Sequence, residues 1–185
     1  MYSKDQFAEG RHSENILLHC MFLIQILFLH RKYFQAYDLA KKNEALLDKV
    51  LLSALIPEII LYYSFTLTAL FGNASQKERK DYIKQLNKNR KKMKKGAASC
   101  IENILHKYLL IEAEVARIQK KYIKAEKLYN EAIQSAKVNY FYHIEAIANE
   151  LAAKFYSERG YEKIARTYMT DVPVINMLCG VDFQK

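Results

Sequence analysis

The sequence contains few of the residues that make tight turns. Its 185 residues include five glycines, two prolines and no tryptophan. A β-sandwich or β-barrel needs many short strands joined by turns rich in glycine and proline, so this composition excludes those folds. Half of the residues are apolar and a quarter are charged, as in a folded domain with a real core. Long helices with few corners are the fold class that this composition predicts.

Cysteine is also scarce. The three cysteines, Cys20, Cys100 and Cys179, are odd in number and widely separated. A disulfide framework or a zinc knuckle needs paired cysteines at short spacing, which this chain lacks. Free cysteines of this kind are typical of a reducing compartment, and we therefore expect a cytoplasmic protein.

Neither of the two apolar runs has the pattern of a membrane span. Residues 16–29 are too few for an untilted span, and residues 50–72 carry Pro57 and Glu58 near their middle. Proline suits the first turn of a helix, where no amide donor is needed, and glutamate is favourable at the positive end of the helix dipole. The sequence therefore predicts a buried helix that begins near Pro57 and no transmembrane span. Acidic residues before residue 16 argue against a signal peptide.

Two helix starts are marked by short polar motifs. Ser75 and Glu78 form a capping box, in which each residue binds the backbone amide of the other. Ser99 and Glu102 have the same spacing, and Gly96 precedes them as a residue that commonly follows a helix C-terminus. The pattern predicts two antiparallel helices joined by a short connection near residue 97.

Large and small side chains alternate at helical spacing in two segments that lie 39 residues apart. The first segment contains Tyr122, Ala125, Tyr129 and Ala132, and the second contains Tyr161, Ala165 and Tyr168. A small residue, Ala113 or Ala152, lies nine positions before each leading tyrosine. Alanines let a neighbouring helix approach, and the rings pack against it. The pattern predicts an internal repeat with one helical hairpin per unit.

These positions resemble the tetratricopeptide repeat, which has a small residue in its first helix, an aromatic at the corner, and alanine and aromatic residues in its second helix. The repeat here is longer than the usual 34 residues and lacks the usual tryptophan and closing proline. The resemblance implies an all-α array of antiparallel helical hairpins, about seven or eight helices in all, stacked as a right-handed solenoid.

A closer resemblance covers most of the chain. Three segments carry it: LLSALIPEIILYYSFTLTAL, ENILHKYLLIEAEVARI and EAIANELAAKFYSERGYEKIARTYM. They are similar to the tetratricopeptide-like helical segment of large multidomain bacterial signalling proteins, which combine serine/threonine-kinase-like, ATPase, GAF and histidine-kinase domains. The resemblance implies a connecting and interaction region in signal transduction. The expected helical-repeat domain covers residues 1–170, and the resemblance stops near Met169. Asp171 to Pro173 is expected to break the last helix, and residues 171–185 are expected to form a divergent tail, with a cap over the last repeat as one alternative.

The residues give no sign of catalysis. A glycine-rich phosphate loop and the His-Arg-Asp and Asp-Phe-Gly motifs of kinases are absent from the sequence. Cys100 and His106 diverge on a helix, and His12 and His19 stand about 10 Å apart, too far to share a metal. We therefore expect no enzyme activity, no cofactor and no metal. His106 and Glu150 are interpreted as structural, with a helix end or hydroxyl as the usual partner.

The favoured function is a scaffold that binds a segment of another protein. If the repeat has tetratricopeptide geometry, the first helix of each hairpin lines a concave groove. The candidate groove contacts are then Lys107, Leu110, Glu114, Arg117, Asn149 and Tyr156. A purely architectural spacer between catalytic domains, or a remnant of a larger signalling protein, is an alternative.

The basic helix at residues 77–95 supports a second alternative. A ridge of like charges follows one side of it: Lys84, Lys88, Lys91 and Lys95. With a net charge of +9, the chain has the charge to bind nucleic acid or acidic lipid there. The simpler interpretation is a solvated outer face, partly neutralised by Glu102, Glu112 or Glu114 of the next helix. Aromatic residues do not interleave the lysines, so base stacking is not expected.

Overall fold

A computed structural model shows a helical chain. It describes the backbone of residues 4–49 and 55–178, and the side chains of residues 15–46 and 55–170. These residues form nine α-helices and one short 3-10 helix and contain no strand, which confirms the all-α prediction. The elements are α1 (Lys4–Leu29), α2 (Tyr33–Lys42), α3 (Glu44–Lys49), α4 (Ile56–Leu70), the 3-10 helix (Phe71–Asn73), α5 (Gln76–Ser99), α6 (Ile101–Ile118), α7 (Tyr122–Val138), α8 (Tyr142–Ser157) and α9 (Glu162–Leu178).

The chain divides into two compact units, residues 1–89 and residues 90–185. In the first unit α1, α2 and α4 pack against one another. Helix α4 has Pro57 in its first turn with Glu58 beside it, and every residue from 59 to 68 is buried. The hydroxyls of Ser64 and Thr66 each donate to a carbonyl one turn earlier, at 2.7 and 2.8 Å. The prediction of a buried helix beginning near Pro57 is confirmed.

The first capping box forms as predicted. The Ser75 amide and hydroxyl both donate to Glu78 Oε2, at 2.8 and 2.6 Å. In return the Glu78 amide donates to Ser75 Oγ at 3.4 Å. These bonds satisfy donors that have no partner inside the helix, and they lower the pKa of the Glu78 carboxyl. Helix α5 therefore begins where the sequence predicts.

The corner between α5 and α6 differs from the prediction. Helix α5 continues through Gly96 to Ser99, and the Ser99 hydroxyl donates to the Lys95 carbonyl at 3.3 Å. Cys100 is the N-cap of α6, and its side chain makes no capping bond within the described residues. Gly96 instead permits close packing, since a Cβ there would lie 3.1 Å from Ile104 Cδ1. The second capping box and the helix end at Gly96 were wrong predictions.

The antiparallel arrangement of α5 and α6 is nevertheless present in the second unit. Arg90 pairs with Glu112, and Gly96 faces Ile104. As residue numbers rise along α5 they fall along α6, which is how antiparallel helices meet. The short connection therefore produces the predicted packing by a different local mechanism.

Within the second unit, α6 packs on α7 and α8 packs on α9, and α7 also contacts α8. The small residues of the repeat pattern lie at these contacts, fully buried: Ala113, Ala125, Ala132 and Ala152. Tyr129 is fully buried too, and its ring centroid lies 5.4 Å from that of Phe155. The alternation of large and small residues thus marks the packed side of α7, as predicted.

Four corners share one backbone conformation. Each has a residue with positive φ just after a helix: Arg31 (58°), Lys120 (58°), Tyr140 (62°) and Gly160 (79°). The amide of the next residue donates to a carbonyl five residues back, as Lys121 does to Ala116 at 2.9 Å. This is the Schellman termination of a helix. Only Gly160 is a glycine, the residue that adopts positive φ without strain, so the other three corners carry no such local signal in the sequence.

The C-terminal end of the described chain also differs from the prediction. Helix α9 runs from Glu162 to Leu178 and so passes through Asp171 to Pro173, where a break was predicted. A proline inside a helix removes one backbone hydrogen bond and bends the helix, and the helix can continue beyond it. The predicted capping role of residues 171–185 concerns side chains outside the described residues.

Candidate interaction surfaces

The six predicted groove residues lie mostly in the interior. Helix α6 carries four of them and α8 carries Asn149 and Tyr156. Five are buried, and Leu110 is fully so; the side chain of Arg117 is 16% exposed. A buried side chain offers no surface to a ligand, so these residues are corrected from groove contacts to interior residues. Sequence spacing assigned these residues to α6 and α8, but their side chains are mostly covered by neighbouring parts of the chain.

Two of these residues, Glu114 and Arg117, form a network with Tyr129 of α7. The Arg117 guanidinium donates to both oxygens of Glu114, from Nε at 3.0 Å and from Nη2 at 2.7 Å. The hydroxyl of Tyr129 donates to the same carboxylate. Burial, and then the negative charge of Glu114, raise the pKa of Tyr129 well above its usual value. Burial alone would lower the pKa of Arg117, but Glu114 raises it. The network holds α6 against α7.

An equivalent contact occurs in the next hairpin. Tyr129 of α7 interacts with Arg117 of α6. Tyr168 of α9 stacks on Tyr156 of α8, with ring centroids 5.4 Å apart and planes 16° from parallel. Both members of the second pair lie 39 residues after those of the first. The tyrosine pattern in the sequence includes Tyr129 and Tyr168, but their partners differ in residue type, arginine at 117 and tyrosine at 156.

The basic ridge is not uniform. Lys88 Nζ lies 2.7 Å from Glu44 Oε1, so this lysine has an acidic partner. Lys84, Lys91 and Lys95 are exposed. Next to the ridge, Arg90 makes a bidentate pair with Glu112, with Nη2 2.8 Å from Oε2. Of the three glutamates of α6 that were expected to neutralise this region, Glu112 therefore forms an ion pair there.

His106 lies in an unusual environment for a histidine. Its side chain is fully buried, and neither ring nitrogen has a hydrogen-bond partner among the described residues. The ring packs on Phe141, with centroids 4.3 Å apart. Burial, helped by the positive charges of Lys107 and His143, lowers the pKa of His106 to about 4. The partner that we predicted for this residue is absent, and the imidazole is neutral at pH 7.

The cysteines form no reactive centre in the described part of the chain. Cys20 is buried, and burial raises the pKa of its thiol to about 11, so the thiol is not ionised at neutral pH. Cys100 accepts a hydrogen bond from Asn103 Nδ2 at 3.1 Å. No three acidic, histidine or cysteine side chains among the described residues lie close enough to bind a metal. Cys179 lies outside the described residues.

Helix α8 has an accessible side that differs from its predicted groove side. His143, Glu150 and Lys154 are exposed, and Ile147 between them is half-buried. Their spacing of three and four residues places them along one face, which we call the α8 strip. Glu150 was interpreted as a structural residue, but it lies on this exposed face. The strip offers both charges and an apolar side chain to a ligand.

Comparison with known proteins adds no relative. No protein-family model matches the chain, and no curated protein or solved structure shows significant similarity to it. The function must therefore be inferred from the residues and contacts described above.

Proposed function

We propose that the chain is a non-catalytic helical-repeat scaffold that binds a segment of another protein. The observation that supports this most is the repeated contact between the helices of a hairpin, Arg117 with Tyr129 and Tyr156 with Tyr168. Repeated hairpins pack on their neighbours and leave an extended side for ligands. The proposed arrangement is a right-handed tetratricopeptide-like array.

The resemblance to bacterial signalling proteins supports a role in signal transduction in the cytoplasm. In those proteins the helical segment connects catalytic domains and serves as an interaction region. A spacer with no ligand of its own is the alternative within the same architecture. The scaffold and the spacer differ in that only the scaffold needs an accessible surface that binds a ligand.

The binding surface that we propose is the α8 strip. It lies on the first helix of a hairpin, as the tetratricopeptide resemblance requires, and its side chains are accessible whereas the six originally expected contacts are mostly buried. A strip of mixed polar and apolar residues supports modest affinity unless the ligand supplies a buried anchor.

The test uses peptides selected from a displayed random library on the immobilised chain. Reversing the charges of the strip, with Glu150→Lys and Lys154→Glu together, should weaken binding of the selected peptides at least tenfold. The peptides are selected for charges complementary to those of the original side chains. The matched control is Lys127→Glu with Glu131→Lys on α7, an exposed pair of the same chemistry 3.7 Å apart. The control should change affinity less than twofold.

Two results would contradict the α8 strip as the binding surface. Selection that enriches no peptide above background would favour the spacer. Peptides that lose affinity equally in both variants would not depend specifically on this strip.

Binding of an anion along α5 is the second candidate, supported by the three exposed lysines of the ridge. It predicts that a short DNA duplex binds with an affinity that falls steeply with salt. Replacing Lys84, Lys88, Lys91 and Lys95 by glutamate would abolish that binding and leave the selected peptides unaffected. If the affinity for the duplex does not change with salt concentration, the scaffold is the favoured function.

A further inference from the structure

Helix α1 has a second apolar side that the described residues leave exposed. From Asn15 to Leu29 it contains no charged residue. Leu17, Cys20 and Ile24 are buried in the unit. Six other large apolar side chains are exposed, and we call them the α1 face: Ile16, Leu18, Phe22, Leu23, Ile26 and Leu29. An unpartnered apolar side of this kind marks an interaction site.

The α1 face is wide. At about 100° per residue its six members span roughly 160° of the helix circumference, with Phe22 and Ile26 near the middle. Phe22 is 52% exposed and Ile26 is 50% exposed. Taking ~200 Å² for each whole side chain, the exposed part amounts to roughly 500 Å², at the upper end for the largest apolar patch of a monomer. One partner helix covers a narrower stripe than this.

A groove extends the α1 face towards α2. Its volume is about 350 Å³, and it is lined by five residues of α1, by Leu39 of α2 and by Asn43 just after α2; the five are Asn15, Ile16, His19, Cys20 and Leu23. The lining is mostly apolar, so the groove continues the chemistry of the face. An occupant of the face therefore has space for apolar chains beside the helix as well as on it.

Positive charge borders this surface. Arg31 and Lys32 are exposed where α1 ends, and Lys42 is exposed next to the groove residue Asn43. Residues 15–43 contain four lysines and arginines against one acid, Asp38. A second copy of the chain would bring the same positive border against this one, which is unfavourable. The positive charges of Arg31, Lys32 and Lys42 therefore favour a negatively charged partner on the α1 face.

We propose that the α1 face docks on the surface of an anionic lipid bilayer. A bilayer accepts a wide apolar face without a matching partner helix, and interfacial helices bury such a face about 5–10 Å into the headgroup region. Arg31, Lys32 and Lys42 then lie at the level of the lipid phosphates. Each cation near an anionic surface strengthens binding about fivefold. No described helix is long and apolar enough to cross a membrane, and docking on the surface requires none.

The absence of tryptophan from the chain gives a direct reporter. Phe22→Trp places a single indole at the middle of the α1 face. Its fluorescence should shift to the blue with vesicles of phosphatidylcholine containing one third phosphatidylserine, and the shift should diminish as salt rises. Vesicles of phosphatidylcholine alone should give little shift. Ile123→Trp on α7, at a site that is 87% exposed, is the matched control and should not respond.

Sedimentation with the same vesicles measures the affinity. Phe22→Asp with Ile26→Asp should weaken binding at least tenfold, while Ile123→Asp should change it less than twofold. Arg31→Gln with Lys32→Gln should weaken binding about tenfold or more, because two cations are lost. Far-ultraviolet circular dichroism should be unchanged in all variants, since every altered side chain is exposed.

Three results would overturn the proposal. The first is no binding, or equal binding to neutral and anionic vesicles. The second is equal loss in the α1-face variant and the Ile123→Asp control. The third is a dimer in analytical ultracentrifugation that Phe22→Asp with Ile26→Asp converts to a monomer, since a second copy would then occupy the face. The peptide test of the α8 strip concerns different residues, so the two proposals can fail separately.

Discussion

Replacing Glu114 by alanine is expected to lower the free energy of unfolding by about 3–5 kcal/mol. The carboxylate accepts two hydrogen bonds from Arg117 and one from the buried hydroxyl of Tyr129. Its removal leaves a largely buried positive charge and a buried hydroxyl without their main acceptor. An uncompensated buried charge costs much more than the loss of an ordinary hydrogen bond. Urea denaturation of the wild type and the variant measures the difference.

Two control variants separate the charge from the other interactions. Tyr129→Phe removes one hydroxyl and keeps the ion pair, so its expected cost is smaller, about 1–2 kcal/mol. Glu131→Ala removes a glutamate from an exposed ion pair on α7, with an expected cost of less than about 0.5 kcal/mol. If Glu114→Ala costs no more than Glu131→Ala, Glu114 is a surface residue, as the original groove prediction had it.

His106 is expected to make the stability depend on pH between about 4 and 6.5. The pKa of this histidine is about 4 in the folded chain, below the ordinary value of 6.5. As pH falls through 6.5 the unfolded chain takes up a proton that the folded chain does not, so the free energy of unfolding decreases. The loss ends near pH 4, where the folded chain is protonated too. The whole difference amounts to about 3 kcal/mol.

The variant His106→Leu should remove this part of the pH dependence. It should also be about 1–2 kcal/mol more stable at pH 7, because it no longer buries ring nitrogens without partners. His19→Leu, which makes the same substitution at an exposed histidine, is the control. Urea denaturation at pH 4, 5, 6 and 7 gives the profiles. Parallel profiles for the wild type and His106→Leu would show that His106 titrates normally in the folded chain.

Local chemistry predicted those parts of the fold that depend on neighbours in the sequence. The start of α4 at Pro57 and the capping box of Ser75 and Glu78 each involve residues within one helical turn. The packed side of α7 followed from the spacing of alanines and tyrosines, because residues three or four apart share one side of a helix. The second capping box does not form, because α5 continues past Gly96 to Ser99. Gly96 packs closely against Ile104 of α6, a contact that local sequence does not reveal.

The candidate site was less predictable, since accessibility depends on elements far away in the sequence. Leu110 and Glu114 lie on the helix expected to line a groove, but other helices cover them. His106 was assigned a partner by general experience with buried polar groups, and the described residues supply none. Six large apolar side chains of α1 are exposed in the described part of the chain, although the run of residues 16–29 is apolar almost throughout. A single sequence contains no signal that separates these outcomes.

The proposed array of packed helical hairpins is tested most directly by nuclear Overhauser effects between aromatic rings in the second unit. The packing of α7 on α8 predicts a contact between Tyr129 and Phe155, and the packing of α8 on α9 predicts one between Tyr156 and Tyr168, each pair with ring centroids 5.4 Å apart. Helical chemical shifts should run through α7 and α9 on either side of them. The absence of both ring contacts, or strand-type shifts in α7 or α9, would contradict a packed pair of repeated hairpins.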